Sequence, residues 1–272
     1  MNNQVLQYKS SQISYLQFGS GPKKMVCFHG YGENAETFAF LEKYASDQYS
    51  FYSIDLPFHG KTQWNEGFNF TSEDLLSILQ KIIPGRVATG DEQYSIMGYS
   101  LGGRIALSIY EKMPKQTEKI VLLAPDGLRV NFWYWLSTQT WIGNRLFAIT
   151  MKYPQWFFGF LKVLNKIKFV NASIFKFVNY YIGDPEIRRL LYARWTCPRK
   201  LRPSLHRIKS SIRDNATPVR LIYGKHDRII LPVRGEEFKK DIDEYCTLSF
   251  IPSGHQVLQE KYIAEILPAL LH

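Results

Sequence analysis

A serine between two glycines, Ser100 in the stretch Gly98-Tyr99-Ser100-Leu101-Gly102, is the residue of this sequence that is best placed for covalent chemistry. The stretch joins the run Tyr-Ser-Ile-Met to a segment with helical spacing that begins at Leu101. Glycine neighbours let the backbone turn sharply, so a serine between strand and helix can project its hydroxyl oxygen from the end of the strand. The pattern predicts a nucleophilic serine at position 100. The alternative is a tight turn without chemistry.

Two later residues could activate this hydroxyl. A serine becomes a nucleophile when a base removes its proton and a third group orients that base. Asp227 follows the apolar run Leu-Ile-Tyr, and His255 follows the run Leu-Ser-Phe-Ile. Loops after parallel strands meet at one edge of a sheet, so the three side chains can lie together. We therefore expect a Ser100–His255–Asp227 triad, with Asp126, at the end of another apolar run, as an alternative acid.

The elements that must position these residues alternate between strands and helices. Four apolar runs before residue 127 and two after residue 213 are short and bounded by Gly, Pro or polar residues, as strands buried on both faces are. The segments between them, residues 36–45 among them, have helical spacing, and Thr71 with Asp74 resembles a helix start. A last helix is predicted from about residue 256. This alternation predicts an α/β fold with a mostly parallel sheet. Residues 5–19 predict an antiparallel hairpin at the edge of that sheet.

Residues 127–213 interrupt the alternation. They contain 16 Lys and Arg against two acidic residues, whereas the rest of the chain has 18 basic and 22 acidic residues. They also hold five of the six tryptophans, and their apolar spacing indicates helices. We expect a helical insertion over residues 127–213, after the sixth strand, and a core formed by residues 1–126 and 214–272.

The elbow at Ser100, the chain order of serine, aspartate and histidine, and the strand and helix alternation together resemble an α/β-hydrolase over nearly the whole chain. The resemblance implies an eight-stranded, mostly parallel sheet flanked by helices, with residues 127–213 as a helical cap. It also implies that the loop Phe-His-Gly-Tyr-Gly-Glu-Asn contributes to an oxyanion hole. The implied donors are the backbone N–H groups of Tyr31 and Leu101.

The same resemblance implies a serine hydrolase that cleaves a carboxylic ester or thioester through an acyl-enzyme and needs no cofactor. Aromatic residues in the insertion favour a small or medium-sized apolar substrate, unless they only hold the helices together. The positive charge also suits an anionic substrate. Candidate substrate-binding residues are Tyr99, next to the nucleophile, Trp133 in the insertion, and Arg129 just beyond the sixth strand.

The segment Gly-Tyr-Ser-Leu-Gly-Gly-Arg is also similar to the nucleophile segment of the menaquinone-pathway SHCHC synthases, which eliminate pyruvate. In that family the arginine after the paired glycines helps bind carboxylates, so the resemblance implies an anion-binding Arg104 and a triad that abstracts a proton. The alternative for Arg104 is an ordinary helix residue with an ion pair. A C–C bond hydrolase and a hydrolase acting at a lipid surface are further alternatives.

Other features of the sequence limit the classes of partner that we expect. The net charge of +10 does not indicate nucleic-acid binding, because the basic residues are interleaved with aromatic residues and form no recognised motif. No metal-type cluster or glycine-rich nucleotide motif is present in the sequence. We find no apolar run of about 18 residues and no signal-type start, and three scattered cysteines are typical of a cytoplasmic protein. Residues 156–170, apolar with interspersed lysines, could rest on an anionic membrane surface.

Overall fold

The computed structural model describes residues 2–83, 92–166 and 182–271 of the chain. Its strands form one eight-stranded sheet in the order β1-β2-β4-β3-β5-β6-β7-β8. The strands are β1 (Asn2–Tyr8), β2 (Ser11–Phe18), β3 (Lys23–Phe28), β4 (Tyr49–Ile54), β5 (Tyr94–Tyr99), β6 (Thr117–Leu123), β7 (Val219–Gly224) and β8 (Cys246–Ile251).

Pairing within the sheet is mostly parallel. β1 and β2 form an antiparallel hairpin, and β2 also pairs antiparallel with β4. The other pairs, from β4 through β3, β5, β6 and β7 to β8, are parallel. The predicted mostly parallel sheet and its edge hairpin are confirmed. Every residue of β5 is buried, as a central strand covered on both faces requires.

The described residues include the helices α1 (Glu42–Ala45), α2 (Ser72–Ile82), α3 (Leu101–Lys112), α4 (Phe132–Gln139), α5 (Trp141–Lys152), α6 (Gln155–Lys166), α7 (Pro185–Thr196), α8 (Leu205–Asn215), α9 (Val233–Lys239) and α10 (Ile263–Leu271). Short 3-10 helices span Ala35–Leu41, Cys197–Lys200 and Glu260–Tyr262. The predicted start of α2 is confirmed, because the side chains of Thr71 and Asp74 each bond to the other residue's backbone N–H in a capping box.

Two helices differ from the sequence prediction. The segment 36–45 is mainly a 3-10 helix, which begins where the Asn34 side chain accepts a hydrogen bond from the N–H of Glu36. The last helix, predicted from about residue 256, begins at Ile263. The chain before it turns instead, because the N–H of Val257 bonds to the carbonyl of His255.

The chain divides into two compact units. The first comprises Met1–Glu66, Phe70–Arg129 and Lys200–His272, and the second comprises Gly67–Asn69 and Val130–Arg199. Residues 200–213, assigned to the insertion by their charge, belong to the first unit because α8 buries Ile208 and Ile212 and packs against α3. In the described part of the second unit, all regular secondary structure is helical. Its action as a cap stays a prediction.

Two observations bear on membrane contact. None of the helices within the described ranges combines the length and the hydropathy that crossing a membrane requires. The stretch 156–170, considered above for a membrane surface, is described only as far as residue 166, and residues 167–170 lie outside the described residues.

Candidate active site

Ser100 sits on the turn between β5 and α3 in a rare backbone conformation. Its φ of 51° and ψ of −115° are unusual for a residue with a side chain. Such a conformation costs about 1–3 kcal/mol and persists only where the surrounding structure imposes it. Here the N–H of Ser100 donates to the Leu123 carbonyl at 3.0 Å, and its carbonyl accepts from the N–H of Asp126 at 2.8 Å. The turn is thus held from β6.

The two motif glycines are required by close backbone approach. A Cβ at Gly98 would lie 2.5 Å from the carbonyl oxygen of Gly102. A Cβ at Gly102 would overlap the carbonyl oxygen of Phe28, at the end of β3. A side chain at either position would therefore push α3 away from the sheet. The sharp strand-to-helix turn predicted from the motif is confirmed.

Three side chains from distant parts of the chain meet at this turn. Ser100 Oγ lies 2.9 Å from His255 Nε2, and His255 Nδ1 lies 2.8 Å from Asp227 Oδ2. The carboxylate can only accept, so Nδ1 carries the imidazole proton and donates it to Asp227. Nε2 is then left to accept the hydrogen bond from the Ser100 hydroxyl. A proton can pass directly from Oγ to Nε2 in this arrangement.

Asp227 is held by its own loop as well as by His255. Its Oδ1 accepts hydrogen bonds from the N–H groups of Ile229 at 2.8 Å and of Ile230 at 3.0 Å. The residue is only 3% exposed. Burial opposes its ionisation, but the hydrogen bonds from His255 and the two N–H groups outweigh burial and lower the pKa of Asp227 below its usual 3.8. Asp227 therefore faces the histidine as a carboxylate.

The loop that carries Tyr31 is oriented by a buried histidine. His29 Nε2 accepts a hydrogen bond from the N–H of Leu56 at 3.1 Å, so its Nδ1 is protonated and donates to the Gly30 carbonyl at 2.8 Å. Because the peptide between Gly30 and Tyr31 is planar and trans, holding that oxygen directs the Tyr31 N–H to the opposite side. The other expected donor, the N–H of Leu101, opens α3 and has no acceptor inside the helix.

Tyr99, a candidate for substrate binding from its place next to the nucleophile, is buried in the structure. Tyr99 is 1% exposed, and its hydroxyl donates to the backbone carbonyl of His255 at 3.1 Å. Its ring packs near the imidazole, with 5.6 Å between centroids, and it also lies close to Gly30. Burial, together with the charges of Glu33 and Asp227, raises the pKa of Tyr99. Tyr99 is therefore a neutral hydrogen-bond donor behind the histidine rather than a surface for substrate.

Glu33 is a nearby acidic group that was not predicted to be a functional residue. Its Oε2 accepts a hydrogen bond from the N–H of Gly30 at 3.3 Å. Burial raises the pKa of Glu33, although the Gly30 N–H and His255 act in the opposite direction. The only signal in the sequence is an acidic residue two positions after Tyr31. Glu33 places a second carboxyl group close to the loop of the expected oxyanion donor.

Arg104 and Asp126 bind each other. Arg104 is 8% exposed, and its guanidinium forms an ion pair with the Asp126 carboxylate. The other oxygen of Asp126 accepts from the N–H of Gly127 at 2.7 Å. The acid that contacts His255 is Asp227, so the alternative prediction, Asp126 as the acid of the triad, is wrong. Arg104 fits the alternative interpretation of a helix residue with an ion pair.

The remaining candidates lie on exposed surfaces. Arg129 is exposed in the segment after β6. Trp133, in α4 of the second unit, is 68% exposed and its ring packs against Phe132 with centroids 5.4 Å apart. A role for either residue in substrate binding stays a prediction. Across residues 2–83, 92–166 and 182–271, no three His, Cys, Asp or Glu side chains are grouped as metal ligands would be.

Comparison with known proteins places the chain in a known family. The family described as "Serine aminopeptidase, S33" matches residues 21–262. Among curated proteins, the chain is similar to a pimeloyl-(acyl-carrier protein) methyl ester esterase of Nitrosospira multiformis, at 24% identity over 92% of this chain and 94% of the relative.

Solved structures give the same fold. The chain is similar to a thermophilic esterase of Thermogutta terrifontis, with a TM-score of 0.67 and 14% identity over 100% of this chain and 98% of the other. It is also similar to a carboxylesterase of Nitrososphaera gargenis, with a TM-score of 0.65 and 17% identity over 98% and 97% of the two chains.

Proposed function

The chain belongs to the serine aminopeptidase S33 family of α/β-hydrolases, and from this premise we propose that it is a serine hydrolase that cleaves carboxylic esters or thioesters with Ser100, His255 and Asp227. The observation that carries the proposal is the continuous hydrogen-bonded chain from Ser100 Oγ through the imidazole to Asp227, with distances of 2.9 and 2.8 Å. The rare backbone conformation at Ser100 supports it, because strain of this kind clusters at functional sites.

Acylation begins at the serine. Ser100 Oγ attacks the carbonyl carbon of the substrate while its proton moves to His255 Nε2. Asp227 stabilises the resulting imidazolium, because its carboxylate already accepts the Nδ1 proton. The tetrahedral intermediate then collapses. The bond to the leaving oxygen or sulfur breaks, the leaving group takes the proton from Nε2, and an ester links the acyl group to Ser100.

Deacylation repeats these steps with water. His255 Nε2 removes a proton from a water molecule, whose oxygen attacks the acyl carbon. The second tetrahedral intermediate collapses, Ser100 Oγ leaves, and it recovers its proton from Nε2. The products are a free carboxylic acid and the enzyme in its starting state.

The N–H groups of Tyr31 and Leu101 would bind the negative oxygen of both intermediates. The helix that starts at Leu101 adds the positive end of its dipole at the same place. Loss of one donor in comparable sites raises the barrier by about 3 kcal/mol. His29 supports this role, because it fixes the carbonyl of the peptide that carries the Tyr31 N–H.

We propose small or medium-sized esters with an apolar acyl chain, including chains that end in a carboxylate, as the substrate class. The curated relative named above is an esterase for a methyl ester of a pimeloyl group on acyl-carrier protein, which suggests simple alkyl monoesters of dicarboxylic acids as first compounds. The net charge of +10 favours an anionic substrate through long-range attraction.

The lyase alternative receives less support from the described residues. It depends on Arg104 as the group that binds substrate carboxylates, and in this structure the Arg104 guanidinium is buried against Asp126. Binding a second anion there would require breaking a partly buried ion pair, which is costly. Ester hydrolysis needs no such rearrangement.

Hydrolysis of p-nitrophenyl esters of increasing acyl length, and of the matching thioesters, tests the proposal. We expect turnover by the wild type and a fall in kcat of roughly 10^4-fold or more for Ser100→Ala. Ser108→Ala is the matched control, because Ser108 is a buried serine in α3, the helix that follows Ser100, and its hydroxyl donates to the Arg104 carbonyl at 2.9 Å. Wild-type rates in Ser100→Ala, or pyruvate release from the menaquinone-pathway intermediate without ester hydrolysis, would overturn the proposal.

A further inference from the structure

One helix of the second unit presents its apolar side to solvent. In α5, five large apolar side chains are 44–75% exposed: Trp141, Ile142, Leu146, Ile149, and Tyr153 at the end of the helix. A surface helix of a soluble protein normally places polar residues on this side and apolar residues on the other. Scattered exposed apolar residues are common, but a group on one helix indicates an interaction surface.

The exposed residues share one helical face. Positions 142, 146, 149 and 153 follow the spacing of four, three and four residues that aligns side chains along a helix. Thr150 and Met151 lie on the buried side of the same helix. The buried side of α5 therefore already packs within the protein. The exposed apolar residues are not needed for that packing.

Two basic residues and no acidic residue accompany this face. Arg145 and Lys152 are exposed. The Arg145 guanidinium lies 5.7 Å from the Trp141 ring, and the Lys152 ammonium lies 5.2 Å from the Tyr153 ring. The sequence has no acidic residue from position 127 to position 183. The surface thus combines aromatic and aliphatic groups with positive charge.

We infer that this α5 face, consisting of Trp141, Ile142, Arg145, Leu146, Ile149, Lys152 and Tyr153, binds the surface of an anionic phospholipid bilayer. Large apolar side chains would enter the boundary between headgroups and acyl chains, and the two cations would meet the lipid phosphates. The lack of acidic residues matters here, because a carboxylate at this depth would be repelled by the same lipids.

Charge also distinguishes a bilayer from a second copy of the chain. In a two-fold symmetric dimer the same patch meets itself. Arg145 and Lys152 of the two copies would then approach each other, and the α5 face supplies no carboxylate to neutralise them. Anionic headgroups provide that neutralisation. The observations therefore favour the bilayer.

Co-sedimentation with lipid vesicles tests the inference on the full chain. We expect the protein to bind vesicles that contain phosphatidylglycerol and phosphatidylcholine, to bind pure phosphatidylcholine vesicles more weakly, and to be released partly by high salt. The double variant Trp141→Ser/Ile142→Ser should lower the partition coefficient by about 10-fold or more, because two exposed anchors are lost. Arg145→Gln/Lys152→Gln should remove most of the preference for phosphatidylglycerol.

Val5→Ser is the matched control, since Val5 is a 65% exposed apolar residue in β1 of the first unit. It should bind like the wild type. The inference is overturned if the wild type stays in solution with both vesicle types, or if Trp141→Ser/Ile142→Ser binds as the wild type does. A dimer that forms without lipid and is abolished by that variant would also overturn it and identify a second copy as the partner.

Vesicle binding and ester hydrolysis are separate measurements. Ser100→Ala should bind phosphatidylglycerol vesicles like the wild type, because Ser100 is not part of the α5 face. A protein that binds vesicles but hydrolyses no ester would contradict the proposed function and leave this inference standing. A protein that hydrolyses soluble esters without binding vesicles would contradict this inference and leave the proposed function standing.

Discussion

Replacing Asp227 by asparagine changes one atom of the group that orients His255. Oδ1 of Asp227 accepts two backbone hydrogen bonds, from Ile229 at 2.8 Å and Ile230 at 3.0 Å. In Asp227→Asn the amide oxygen should keep these bonds, because only an oxygen can accept them. The amide NH2 then faces His255 Nδ1 at the position where the carboxylate oxygen lay, 2.8 Å away.

The expected consequence is a change of tautomer. Nδ1 must accept from the amide, so the proton moves to Nε2, which can no longer accept the proton of Ser100. The corresponding exchange in a serine protease lowers kcat about 10^4-fold. We expect a loss of about 10^3 to 10^4 here, which corresponds to roughly 4–5.5 kcal/mol of barrier. KM should change little, because no substrate contact is removed.

The assay is kcat and KM for a short p-nitrophenyl ester, with urea unfolding as a check of the fold. Asp126→Asn is the control, since Asp126 pairs with Arg104 and its backbone N–H to Ser100 is kept. It should lose no more than about 10-fold in kcat, because the contact between Asp227 and His255 stays in place, and the cost of the lost ion pair should appear in urea unfolding instead. A folded Asp227→Asn protein with near wild-type kcat, or a larger loss in Asp126→Asn, would refute this reasoning.

Three further predictions follow from the same contacts. Tyr99→Phe removes the bond to the backbone of the histidine loop and should lower kcat about 10-fold at constant KM, whereas Tyr110→Phe, which also loses a buried hydrogen bond, should lose only about 1 kcal/mol of stability. Equal kinetics for the two would argue against a positioning role for Tyr99. Gly102→Ala forces a methyl group against the Phe28 carbonyl and should cost about 3 kcal/mol or more in urea unfolding; a small loss would contradict the close approach. The lowered pKa of Asp227 stabilises the fold above its usual value of 3.8, and this contribution is lost as pH falls through the folded-state pKa. The free energy of unfolding should therefore fall less steeply in Asp227→Asn than in the wild type as the pH is lowered from neutral to acid. An equal fall in the two proteins would contradict the lowered pKa of Asp227.

The elbow and the sheet could be predicted because their signals are local. Strands β3 to β7 are short apolar runs bounded by turn residues, and the motif around Ser100 determines its own turn through the two glycines. The contact of Ser100 with His255, and of His255 with Asp227, could also be predicted from the sequence. Residues at the carboxyl ends of parallel strands must share one edge of the sheet, whatever their separation in sequence.

The role of Tyr99 could not be predicted, and the two interpretations of Arg104 could not be separated, because both depend on contacts between distant segments. Tyr99 is buried by the loops of Gly30 and His255, and nothing in its neighbouring sequence reports those loops. Arg104 is covered by the chain around Gly127, which packs on its side chain. A pattern of residue types near a nucleophile does not distinguish a side chain that faces substrate from one that supports the turn.

The unit boundary near residue 200 shows a similar limit. The excess of basic residues continues to Arg213, so composition assigned residues 200–213 to the insertion. In the structure, α8 belongs to the first unit through its buried residues Ile208 and Ile212. Net charge describes the exposed side of an amphipathic helix, whereas its packing partner is determined by the buried side.

Reaction with a fluorophosphonate probe, followed by peptide mapping, tests the central claim most directly. The probe reports whether one serine is activated as a nucleophile, independently of the natural substrate. We predict a single adduct on Ser100, no adduct in Ser100→Ala, and labelling slowed by roughly 10^3-fold or more in His255→Ala. A folded wild type that stays unlabelled, or an adduct on any other serine, would contradict the account.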